Sequence, residues 1–209
     1  YVAWIRKVDS GAGGNGRIIE KGTGNTAASA TSSILFFTDN LNTTNCISLN
    51  FPFSTQRGFW RSGTNSVNNG FWVHVAVTYS CANTANNPIF YINGISGSTT
   101  ELLTPTGARK DDSGWTMTIG NNETLTADSN GKMAYIQAYN RILSPNEVLQ
   151  LRRYPGSKLD GCVLNHPFFN SQSPAIDYSG FNNYGTVLGP SDGGRDQPPV
   201  NGFGPVGVF

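Results

Sequence analysis

The chain is short of charge. Only 13% of its 209 residues are Asp, Glu, Lys or Arg, and 14 cations stand against 13 acids. That balance leaves no basic field to attract nucleic acid or an anionic lipid surface. Long apolar runs are missing as well; none approaches the roughly 20 residues that cross a bilayer as a helix. The three cysteines, Cys46, Cys81 and Cys162, form neither a CxxC pair nor a metal-type cluster with the two histidines. Cys46 opens one apolar strand and Cys81 closes another, so these two are the preferred pair if a disulfide forms; buried or incidental thiols are the alternative. Acids are scarce in the apolar segments. Glu20, Glu101, Glu123 and Glu147 stand singly, whereas glycan hydrolysis needs paired carboxylates. His74 and His166 have no nucleophile near them in sequence, so nothing points to a catalytic triad. The expectation is a protein without enzymatic chemistry.

What is present is strand chemistry. From Phe71 to Ile95, Val73, Val75, Val77 and Tyr79 alternate with Trp72, His74, Ala76 and Thr78, which is the period of a β-strand. Ile89 to Ile92 then runs into Asn93-Gly94, the pair that a type I′ hairpin turn requires. Similar short apolar segments recur at Tyr1 to Val8, Arg17 to Lys21, Ile34 to Phe37, Cys46 to Phe53, Gly58 to Arg61, Glu101 to Leu103, Trp115 to Gly120 and Lys132 to Tyr139. The glycine-rich run at Gly11 to Gly16 lacks the Gly-Lys-Ser/Thr ending and the helix of a phosphate loop, and reads as a turn. Short strands with turns between them predict an all-β, antiparallel β-sandwich or jelly roll. One short helix is expected near residues 145–153, because Ser144-Pro145-Asn146-Glu147 spells a capping box.

These pieces together resemble the laminin-G-like, concanavalin-A-like jelly-roll superfamily, in its bacterial and phage-associated subgroup. The matching stretches are AWIR, RIIEKG, FWVHVAVTYS, PIFYINGI, MTIGN and GKMAYIQAYNRILSPNEVLQL, over roughly residues 1 to 153. The resemblance implies a core over residues 1–154. It also implies an opening strand ahead of AWIR, and the likeness of that strand stands instead near the other end. There Cys162-Val163-Leu164-Asn165-His166-Pro167-Phe168 precedes Asp177-Tyr178-Ser179-Gly180, within a segment spanning 155–209.

Three placements of that segment stay open. It folds back on its own domain, it begins another repeat, or it enters the next copy of the protein by strand complementation. The last makes a head-to-tail filament or surface layer, with Cys162, Val163, Leu164, His166, Phe168, Tyr178, Val187 and Phe203 at the contact. It is the first expectation here, for an extracellular structural subunit whose partners are copies of itself. The rival is a lectin-like carbohydrate-binding module of a larger secreted or virion protein, with glycans as partners. Trp60 and Trp115 are its candidate sugar platforms, and Tyr178 qualifies by residue type as well; each could equally be core. No cofactor is demanded, although laminin-G-like modules often bind calcium; Asp128 and Asn130 are the best oxygen donors, with Asp111 and Asp112 second. Asn42 and Asn122 head Asn-x-Thr sequons, the acceptor pattern for N-glycans.

Overall fold

The structure is a computed structural model that describes residues 1–9, 11–22, 33–40, 45–168, 173–188 and 198. Among the described residues twelve strands form two antiparallel six-stranded sheets. The first sheet holds β1 (Val2–Lys7), β6 (Val73–Thr78), β7 (Ile89–Ile92), β8 (Ile95–Ser96), β11 (Gly131–Tyr139) and β12 (Cys162–His166). Its order is β12-β11-β1-β6-β7-β8. The second holds β2 (Arg17–Gly22), β3 (Ser33–Asp39), β4 (Cys46–Phe51), β5 (Gly58–Ser62), β9 (Thr99–Leu103) and β10 (Thr116–Ile119). Its order is β10-β2-β3-β4-β5-β9. This is the sandwich that the strand spacing predicts.

Alternation builds the core. Ala3, Ile5, Val73, Val75, Val77, Phe90 and Ile136 from the first sheet meet Ile34, Phe36, Ile47, Leu49 and Trp60 from the second. The Asn93-Gly94 turn forms as expected, with φ of +52° and +79°, and joins β7 to β8 in register Ile92↔Ile95. Gly94 is needed for a second reason: a Cβ there would lie 2.9 Å from the Leu149 side chain. β11 carries a bulge. Tyr135 takes φ +52°, and the register against β1 shifts between Val2↔Gln137 and Trp4↔Ala134.

The helix α1 (Pro145–Arg153) has the expected capping box, Ser144 and Glu147 each bonding the other's backbone N–H. Val148 and Leu151 pack with Leu143 on Val2, Ala76 and Tyr91, so α1 covers part of the outer face of the first sheet. That face also hides His74. Its ring is fully buried, meets the Trp4 ring edge-on at 5.5 Å, and has no hydrogen-bond partner on either nitrogen.

In this single chain the C-terminal segment lies against its own domain. β12 pairs with β11 of its own chain, from Ile136↔His166 to Tyr139↔Cys162. Residues 173–188 then lie along the outer edge of β12: Tyr178 N–H bonds the Asn165 carbonyl at 2.9 Å, and the Asn183 amide bonds the Val163 carbonyl at 2.7 Å. These bonds occupy part of the backbone along the outer edge of β12.

Candidate functional site

At one end of the first sheet, β1 finishes beside the start of β11, in register Arg6↔Lys132 and Lys7↔Gly131. The loop leading into β6 folds over the same end, held by Gly70 N–H to the Lys7 carbonyl at 2.8 Å and by Arg6 Nε to the Gly70 carbonyl at 2.8 Å. Arg6, Lys7, Val8, Asn69, Gly70 and Lys132 line a shallow, open depression there. Gly70 has φ +82°, a turn that turns the following Phe71 outward, and Phe71 is 70% exposed. Trp72 is half-buried against Trp4, Ala134 and Tyr135, so one aromatic is fixed as wall and the next is offered to solvent. Lys7 takes a different direction. Its ammonium is buried and bonds Asn45 Oδ1 at 2.9 Å, and burial lowers its pKa. The corner therefore combines an exposed ring, a half-buried indole, an exposed amide and two half-buried cations. None of its lining residues is acidic.

The outer face of the second sheet is polar but closed. Asp39 is fully buried, with Oδ2 accepting from Ser48 Oγ at 2.9 Å and from Arg61 at 2.8 and 3.0 Å. Glu20 is bound by Arg17 Nε at 2.9 Å, and Phe37 stacks on Phe59 between them and the next strands. Glu20 lies opposite Leu35, four positions along β3 from Asp39. At a rise of about 3.3 Å per residue this is about 13 Å. Paired glycosidase carboxyls sit roughly 5 to 9.5 Å apart. Each of these two acids is also held by an arginine, so the face has the chemistry of a structural ion-pair layer.

A family model described as the concanavalin A-like lectin/glucanases superfamily (Laminin_G_3) matches residues 1–149. The chain belongs to the concanavalin A-like lectin/glucanase superfamily. No curated protein matches it in sequence. Among solved structures it is similar to a Bacteroides ovatus protein for which carbohydrate binding has been suggested, at 17% identity and a TM-score of 0.62. That match covers 89% of this chain and 50% of the other, so the chain spans half the length of this neighbour. It is also similar to the CBM40 of the Ruminococcus gnavus IT-sialidase, solved bound to α2,3-sialyllactose, at 15% identity and a TM-score of 0.53. There the match covers 72% of this chain and 80% of the other, and a second structure of that CBM40 gives 14% and 0.52. At these identities the likeness is one of fold.

Within this concanavalin A-like domain several sequence-predicted sites move. Trp60 is no sugar platform: it is fully buried opposite Leu49, and its Nε1 donates to Asn87 and Glu101. Trp115 is half-buried and packs on the main core. Cys46 and Cys81 are unbonded thiols, as is Cys162. Cys46 sits at the end of the sandwich where Lys7 and Asn45 meet, while Cys81 follows the far end of β6. That separates them by about a strand length, ~20 Å, well beyond disulfide reach. Asn122 is buried and is no glycan acceptor. Its amide closes the 122–126 turn through Thr126 Oγ1 at 3.1 Å and Thr126 N–H at 2.7 Å. Asn42 and Phe203 lie outside the described residues.

The calcium candidates separate. Asn130 gives its amide to Asp9 Oδ2 at 2.7 Å, while Asp128 is exposed. Asp111 accepts from Ser113, and Asp112 from Lys21 and Arg109. Among the described residues no three His, Cys, Asp or Glu side chains form a metal-sized group. Cys162, Leu164 and His166 are buried in β12, Val163 and Val187 are half-buried, and Phe168 stacks on His166; of the predicted contact set Tyr178 alone among the described residues is exposed. Phe71 and Trp72 were missed as a site. Their signal was present: the alternation already put Trp72 on the face opposite Val73, just after an Asn-Asn-Gly turn.

Proposed function

We propose that this domain is a non-catalytic carbohydrate-binding module that holds glycan at the Phe71–Trp72 corner. One observation carries the reading: Phe71 stands 70% exposed beside Trp72, next to a depression lined by Arg6, Lys132 and Asn69. A sugar ring offers an apolar face to stack on an aromatic side chain and hydroxyls for amide and guanidinium donors. The two cations suit a glycan bearing a carboxylate, and the sialyllactose carried by one structural neighbour supports a saccharide ligand of that class. Such ligands are displayed outside the cell, which is the setting this function implies. Head-to-tail assembly has less support, since β12 would have to leave β11, where it is already paired.

The test is a glycan array followed by calorimetry on the hits. Phe71→Ala should weaken binding about tenfold or more, a loss of about 1.4 kcal/mol, with an unchanged melting temperature because the ring is exposed. Trp115→Ala should leave affinity unchanged at any temperature where the protein stays folded. Undiminished binding by both Phe71→Ala and Trp72→Ala would remove the corner from consideration.

A further inference from the structure

The C-terminal part of the described chain carries a second surface that the corner does not use. Tyr178, Phe181, Tyr184 and Leu188 are 55%, 63%, 55% and 65% exposed. Single exposed apolar side chains are ordinary on any protein. Four within one eleven-residue stretch, with no charged residue between 178 and 188, depart from that ordinary scatter.

The stretch is fixed to the sheet. Asp177 is buried, and its carboxylate accepts the N–H groups of Asn165, Ser179 and Asn183, each at 2.9 Å, and the Ser179 hydroxyl at 2.6 Å. The Ser179 hydroxyl also reaches the Val163 carbonyl at 3.2 Å. Ala175 and Gly185 exchange backbone bonds at 2.8 and 3.0 Å, closing the base of the loop, and the His166 ring meets the Asn183 carbonyl at 3.0 Å. Gly180 at φ +93° and Asn182 at +58° make the tight reversals between the rings. The backbone under the aromatics is thus ordered before any ligand arrives, so little ordering entropy remains to be lost on binding.

Size and charge select the occupant. A stable protein partner needs about 800 Å² and roughly 20 to 30 residues on each side. One eleven-residue loop falls well short of that, but a sugar ring covers only one or two aromatic faces. The loop supplies flat rings, tyrosine hydroxyls and asparagine amides; its one acid, Asp177, is buried under four hydrogen bonds, and the neighbouring Lys158 gives its ammonium to the Ser179 carbonyl at 2.9 Å. We infer that loop 177–188 is a second saccharide-binding site, which takes an uncharged sugar against Tyr178, Phe181 and Tyr184. It uses none of the residues that line the corner.

The experiment titrates the whole chain with neutral cello-, manno- and galacto-oligosaccharides, followed by calorimetry and amide chemical-shift changes. At least one series should bind and shift residues 177–188. The Phe181→Ala/Tyr184→Ala double variant should lose that binding about tenfold or more with its melting temperature unchanged, while Phe71→Ala retains it. Any one of four results would overturn the inference. Neutral sugars leave the native chain unshifted at millimolar concentration; the double variant binds them as the native chain does; or sedimentation shows self-association that the double variant abolishes, making the patch a contact between copies. Loss in Phe71→Ala alone would assign the neutral sugar to the corner and also end the case for a second site.

Discussion

Asp39 has no exposed surface, and a carboxylate in that position is tolerable only while its charge is answered. Arg61 answers it with two nitrogens, and Ser48 adds a hydroxyl. A buried pair contributes little net stability compared with an apolar replacement, but removing one partner strands the other charge. Arg61→Ala should therefore cost about 3–5 kcal/mol in urea unfolding, while an Arg61→Met/Asp39→Asn double variant should recover most of the loss. Equal losses in the single and double variants would show that shape, not charge, governs this site. The same neighbourhood shows what the residues alone leave open. Phe59, Trp60 and Arg61 are adjacent, and strand parity sends Trp60 to one face and its neighbours to the other. Which face is the core is set by the register Leu49↔Trp60, a long-range pairing that no local pattern contains.

Among the elements, α1 is the one whose start is written in four consecutive residues. Ser144 caps it, Glu147 returns a bond to the Ser144 N–H at 2.7 Å, and Arg141 grips the Glu147 carboxylate from outside the helix. The Arg141 contact leads in pulling the Glu147 pKa down to about 2, with the Ser144 N–H next. Ser144→Ala should cost about 1 kcal/mol, read as a lower urea midpoint with an unchanged slope. A loss near zero would mean that packing of Val148 and Leu151 alone holds the helix. The capping box and the Asn93-Gly94 turn were legible because their causes are local. The edges were not. β12 could be recognised as a strand and as a likeness of an opening strand, but its partner is set by the side chains of β11 and by the Asp177 turn that pins the following loop over it. A Cys46–Cys81 bond fails for the same reason: each cysteine ends a strand, and sequence does not say that the two ends are opposite ones.

At the scale of the whole molecule, a helix laid over one sheet buries His74, and that makes stability depend on pH. Burial, with a smaller contribution from the Arg152 charge, holds its pKa down from 6.5 to about 3. The unfolded chain takes up a proton near pH 6.5 that the folded chain refuses until about pH 3. The histidine's contribution is therefore complete above about pH 6.5 and falls as the solution is acidified through that window, by up to about 1.4 kcal/mol per pH unit. Asp177 adds a loss in the same direction at lower pH. Burial alone would raise its pKa, but its hydrogen bonds from Ser179, Asn165 and Asn183 outweigh that and lower it. The buried Tyr1 α-amino group, whose pKa burial lowers from 8.0 to about 5, adds a loss in the same direction that overlaps the histidine's window. Both His74 ring nitrogens lack partners, which means replacing the ring with an apolar side chain breaks no hydrogen bond. His74→Leu should match or exceed the native stability at pH 7 and should make the decline between pH 7 and 5 shallower, leaving the part that belongs to the Tyr1 amine. Urea unfolding at the two pH values checks this, and an equal decline in both proteins would place the titrating group elsewhere.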